Sequence, residues 1–103
     1  MNVTAGRIKF EEWSKYAEED LLAAQAIVDG NGPANPVCFH SQQIAEKYLK
    51  AFLVLHDERF EKKHQLNYLR LLCAKIDPTF EEIADDINFL NAFYIETRYP
   101  GDI

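Results

Sequence analysis

The sequence predicts an all-α protein, a four-helix up-and-down antiparallel bundle, and three observations predict it. Apolar residues recur at helical spacing in four separate segments. Each segment is closed by breakers or charges: Asp29-Gly30-Asn31-Gly32-Pro33, the charged run Asp57 to Lys63, Asp77-Pro78-Thr79, and Pro100-Gly101. Only four Gly and four Pro stand among the 103 residues, too few for the many tight turns of an all-β fold.

The first residues, up to about 9, lack periodicity and read as a loose lead-in. Helix one is expected over about 10–29, with Trp13, Tyr16, Ala17, Asp20, Leu21, Ala24, Ile27 and Val28 as one inward stripe. Glu12, Lys15, Glu18 and Glu19 fall mainly on its other side. Helix two is expected over about 36–56, with Asn35 as N-cap and Pro36 at the first helical position, where its missing N–H costs nothing. This segment is apolar on most sides, which marks the central helix. Its polar residues Gln43, Glu46, Lys47 and Lys50 share one strip, and Glu46 to Lys50 is the favourable i, i+4 ion-pair order.

Helix three is expected over about 64–76, with Leu66, Leu69, Cys73 and Ile76 inward. Helix four is expected over about 79–98, with Phe80, Ile83, Ile87, Leu90 and Tyr94 inward. Two starts stand open for it: Asp77 capping with Pro78 at the first position, or a capping box of Thr79 and Glu82. No repeat, low-complexity segment or long linker divides the chain, so residues 1–103 read as one domain with short connections.

The net charge of −6 opposes free-standing nucleic-acid binding, whose affinity comes from neutralising phosphates. Any such contact needs a local basic patch or a partner. Arg59, Lys62, Lys63, His64 and Arg70 form the one basic concentration, which reads as a solvated face. No apolar run approaches the ~20 residues that span a bilayer, so no membrane association is expected. Met1 to Phe10 shows no signal peptide, and the expected location is cytoplasmic. Cys38 and Cys73 lie in apolar helical stretches and read as reduced, buried thiols.

Four stretches, in this order and at these separations, resemble the HEPN domain family. They are Trp13-Ser-Lys-Tyr-Ala-Glu-Glu-Asp-Leu21, Phe39-His-Ser-Gln-Gln-Ile-Ala-Glu-Lys-Tyr-Leu-Lys-Ala-Phe52, Lys63-His64-Gln65-Leu66 and Tyr94-Ile-Glu-Thr-Arg-Tyr-Pro100. The Gln-Gln-x-Ala-Glu-Lys-x-Leu-Lys-Ala run is the most specific part. The resemblance implies a dimeric helical bundle, nucleotide- or RNA-associated, often encoded beside an MNT-type nucleotidyltransferase in a toxin–antitoxin arrangement. It also implies, for many members, a metal-independent ribonuclease whose signature is an Arg followed four to six residues later by a His. Arg98 matches that Arg, while residues 99–103 hold no His. A further helix implied by the resemblance is not in this sequence, which reads as a short variant or a truncated chain. On this reading the interaction module stands ahead of the ribonuclease, with a purely structural dimerisation bundle as a third possibility.

Asp20 is an acid set within the apolar stripe of helix one, and a buried carboxylate needs a partner. Lys47, His40 and Gln43 from helix two, or Arg98, are the candidates. A polar tie fixing helix register, a place in a functional pocket, and exposure at the stripe edge all remain open for it. Arg98 and Tyr94 sit one turn apart at the end of helix four. With Asp20, Gln43 and Lys47 they would bind a phosphate, and Arg98 would stabilise charge in phosphodiester cleavage with His40 as acid or base. The plain alternative for Arg98 is a salt bridge at a helix C-terminus.

No metal or cofactor is expected. The three His lack a chelating spacing on one helix, and Glu61-Lys-Lys-His64 is a single Glu-x-x-His where a di-iron bundle needs two. No Gly-rich phosphate loop is present. Tyr48, Phe52, Phe89, Phe93 and Tyr99 exceed what a core of this size obviously needs, which points to a homodimer interface.

Overall fold

The computed structural model describes residues 3–63 and 65–98, with side chains over 5–63 and 65–92. It contains α1 (Val3–Asp29), α2 (Ala34–Leu55), α3 (Leu66–Ile76), a 3₁₀ segment (Pro78–Ile83) and α4 (Ala84–Arg98). Among the described residues there is no strand. The all-α bundle expected from the sequence is present, and α2 is its axis: every other helix packs against it. Among the described residues α1 meets α2 alone, whereas α3 and α4 also meet each other.

α1 begins about two turns earlier than its periodicity suggested. The reason lies in Gly6, which weakens the helical signal but fits the packing. A Cβ at Gly6 would stand 3.3 Å from the Val54 carbonyl oxygen and 3.4 Å from that of Leu55. α1 therefore approaches the end of α2 at backbone distance, which Gly permits. Trp13 then meets Lys50, and Asp20 meets His40, so the two helices run antiparallel. Gly6, Phe10, Trp13, Ala17, Asp20, Ala24 and Ile27 alternate at four and three residues, the spacing of a two-helix seam. Ala17 and Ala24 are buried within it. The seam is narrower than the stripe expected from sequence. Tyr16, Leu21 and Val28 flank it and are each about half exposed.

The starts and stops also differ from expectation in instructive ways. Pro33, not Asn35, is the N-cap of α2, and no side chain caps that end. Pro36 still lies in the first turn, where backbone N–H groups have no helical partner. α1 and α2 both end in the same hydrogen-bond pattern. Gly32 N–H donates to Ile27 O and Asn31 N–H to Val28 O, while Glu58 N–H donates to Leu53 O and Asp57 N–H to Val54 O. This is the Schellman arrangement, and its left-handed position falls on Asn31 (φ 56°) and Asp57 (φ 57°). α3 starts at Leu66, and His64 lies outside the described residues. Of the two starts left open after it, Asp77 is the one used. Its Oδ1 accepts from Thr79 N–H at 3.0 Å, with Pro78 following, and the turn is 3₁₀ before α4 proper.

Leu49, Leu53, Leu66, Leu69, Cys73 and Ile87 form the core between α2, α3 and α4. Phe52, expected among surplus interface aromatics, instead stacks on Phe80 at 4.7 Å inside the bundle. Tyr48 and Phe89 are the members of that set found exposed, and Phe93 and Tyr99 lie outside the described side chains. Arg70, expected on a solvated basic face, is buried and faces Glu81 at 3.2 Å between α3 and the 3₁₀ segment. Cys73 is buried, and desolvation pushes its thiol up to about 12, while Cys38 is half-buried; both are free.

The left-handed position of Asp57 gives a test of the helix end. Asp57→Gly relieves the cost of a Cβ there and should raise stability by about 0.5–1 kcal/mol, read as a higher Tm. A lower Tm would show that the Asp57 side chain holds the turn.

Candidate functional site

His40 and Lys47 are seven residues apart on α2, two turns along one face, and that face looks at α1. Asp20 meets both. His40 Nδ1 lies 2.8 Å from Asp20 Oδ1, and Lys47 Nζ donates to Asp20 Oδ2. The carboxylate is thus held on both oxygens, with 12% of its side chain exposed. His40 and Lys47 keep 25% and 24% of theirs exposed, so an imidazole and an ammonium face outward over a shielded anion.

Burial raises the Asp20 carboxyl, but the hydrogen bonds from Lys47 and His40 and their charges outweigh it and hold the group below the usual carboxylate range. An ionised carboxylate only accepts, so the network assigns the proton to His40 Nδ1. A neutral His40 then carries its lone pair on Nε2, on the far side of the ring from Asp20. Of the three readings open for Asp20, edge exposure is removed. The polar tie is what the geometry displays, and it leaves two polar groups at the surface.

Gln43 lies on the same strip, half-buried, but among the described residues the hydrogen bonds on Asp20 come from His40 and Lys47 alone. Tyr94 and Arg98 belong to the last turns of α4, and their side chains lie outside the described residues. Tyr16, read from sequence as inward, is 53% exposed, with Lys47 Nζ 5.9 Å from its ring centroid. The signal for this was present: Tyr16 lies one turn before Asp20, at the edge of the stripe.

The remaining polar groups of α2 have structural roles. Glu46 and Lys50, expected on the same strip as Lys47, turn away from it and pair at 2.8 Å with 8% of each side chain exposed. The Lys50 ammonium sits over the Trp13 ring at 5.3 Å and the Phe60 ring at 5.9 Å. Gln42, the first residue of the Gln-Gln-x-Ala-Glu-Lys run but not among the candidate site residues, is buried and donates from Nε2 to Leu90 O of α4. Its legible sign was the line Gln42, Glu46, Leu49 and Leu53, which follows the buried face at four and three residues. A separate concavity of about 360 Å³, lined by Gly6, Lys9, Asp57, Glu58 and Arg59 among others, lies at the start of α1. That is about 21 Å along the helix from Asp20, at about 1.5 Å per residue.

The HEPN domain family model matches residues 10–103, which takes in the seam from Phe10 onward, the Asp20 cluster and α4. The chain belongs to the HEPN domain family. Neither the curated proteins nor the solved structures yield a significant match. HEPN domains are a family of nucleotide- and RNA-related modules that commonly dimerise. Among the described residues of this HEPN chain, no helix is long and apolar enough to cross a membrane.

The Asp20 cluster makes the stability of the HEPN domain depend on acid pH in one direction. The folded carboxyl titrates below its ordinary value of 3.8, so its contribution is complete above that value and fades as pH falls through the folded one. Asp20→Asn should cost about 1–3 kcal/mol at pH 7, and its deficit against the parent should shrink in denaturant melts taken below pH 4. A deficit constant from pH 7 to 3 would show that the charge of Asp20 is not what matters.

Proposed function

We propose that this HEPN chain is a nucleotide- or RNA-associated interaction module of a toxin–antitoxin type system, homodimeric and cytoplasmic, acting with a nucleotidyltransferase partner. The observation that carries it is the Asp20 cluster, where a shielded carboxylate orients His40 and Lys47 side by side at the α1–α2 seam. One ammonium and one imidazole at an open surface suit a phosphate and its sugar. Gln43, on the same strip, adds an amide to the rim, and Tyr94 and Arg98 complete the ligand contacts. Dimerisation rests on the half-exposed Leu21 and Val28 beside the seam, together with Tyr48 and Phe89.

The His40–Asp20 hydrogen bond favours a second reading, a metal-independent ribonuclease. His40 Nε2 would take the proton of a ribose 2′-hydroxyl as its oxygen attacks phosphorus. Arg98 would hold the developing phosphorane charge, and the 5′-oxygen would leave with a proton from a general acid.

RNA incubated in EDTA with the purified chain, beside Arg98→Ala and His40→Gln, separates the two. The module reading expects a folded dimer that binds labelled RNA or nucleotide without cutting it, and binding weakened by Lys47→Ala or Arg98→Ala. Cleavage that survives EDTA and is lost in both variants establishes the ribonuclease. A folded chain that neither binds nor cuts sinks both, and a monomer at micromolar concentration sinks the dimer.

A further inference from the structure

We infer that Tyr16 is a base-stacking platform, so that the Asp20 cluster takes an unstacked nucleotide of a single strand and not a duplex. This rests on the nucleotide- or RNA-binding reading above and names its substrate class.

Tyr16 is where an inward stripe would place a buried aromatic, yet half of it stands in water. It is fixed by its place on α1, one turn before Asp20, and its ring lies against the same ammonium that Asp20 holds. Ring, ammonium, carboxylate and imidazole therefore follow one another along the seam within a few side-chain widths. A nucleotide offers one partner for each: a flat base for the ring, a phosphate for the ammonium and a sugar hydroxyl for the imidazole. The base would lie on the Tyr16 ring, with Lys47 at the phosphate and His40 beside the ribose.

Charge decides between single strand and duplex. A duplex buries its base faces and is held by many phosphate contacts at once. This chain carries a net charge of −6, and at the cluster the Asp20 carboxylate offsets the Lys47 ammonium. Little remains to hold a double row of phosphates, so stacking must supply what charge does not. Base–aromatic stacking is available only to a base out of its helix, and it works for every base.

The test is anisotropy titration of fluorescein-labelled single-stranded oligoadenylate, and of the same strand annealed to oligouridylate. The single strand should bind more tightly than the duplex. Tyr16→Ala and Tyr16→Leu should both weaken it by at least about fivefold, while Tyr16→Phe stays within about twofold. Leu retains apolar bulk beside Lys47, so its loss cannot come from unpacking, and circular dichroism melts confirm the fold of each variant. Full binding by Tyr16→Leu, with binding lost in Lys47→Ala, would overturn the stacking role and leave the ligand site standing. Tighter binding of the duplex would overturn the single-strand assignment. No binding by the parent chain would remove the functional reading itself, and this inference with it.

Discussion

The structure turns on the ionised carboxylate of Asp20 being held across a helix seam. Among the described helices α1 packs against α2 alone, so the contacts along one line of residues largely decide whether it stays in place. Most of that line is small or apolar: Gly6, Ala17 and Ala24 bring the helices close and leave little surface to bury. An acid in such a seam would be expelled unless both its oxygens were satisfied. His40 and Lys47 do this from two turns of one α2 face, which fixes the register of the helices and, with it, the placing of Tyr16.

α2 supports two interfaces with different physics. Toward α3 and α4 it presents leucines and Phe52, and the packing is that of an ordinary core. Toward α1 it presents cations and an imidazole. Between the two sides lies the Glu46–Lys50 pair, whose ammonium is covered by Trp13 and Phe60. Burying that pair is costly, and its worth is in linkage: Lys50 touches α1 through Trp13 and the α2–α3 connection through Phe60. Gln42 does the same toward α4, where it reaches the Leu90 carbonyl.

Much of this was legible in the sequence, for identifiable reasons. Helix number and type followed from periodicity and breakers, and the need of Asp20 for a partner, with Lys47 and His40 among four candidates, followed from the cost of an unpaired buried acid. What failed failed locally. The first two turns of α1 were hidden by Gly6, whose low helix propensity is overridden by a backbone contact that no local signal reports. Tyr16 was placed inward because periodicity locates a face but not its edges. Arg70 was placed outward because its partner Glu81 lies beyond a turn, and charge counting along the chain cannot see across it. Of the site, the Asp20, His40 and Lys47 constellation was legible as a set of candidates. Its split from Glu46 and Lys50, on what looked like one polar strip, was set by helix packing.

Because α1 leans on a single neighbour, the molecule has an internal hierarchy of stability. Detaching α1 breaks the seam but leaves the leucine core between α2, α3 and α4 whole, so it is a partial opening of lower free energy than global unfolding. Every opening of this kind dismantles the Asp20 cluster at once, since one of its members departs with the helix. Occupancy of the site is thus tied to the attachment of α1, and whatever grips α1 from outside acts on the site without touching it.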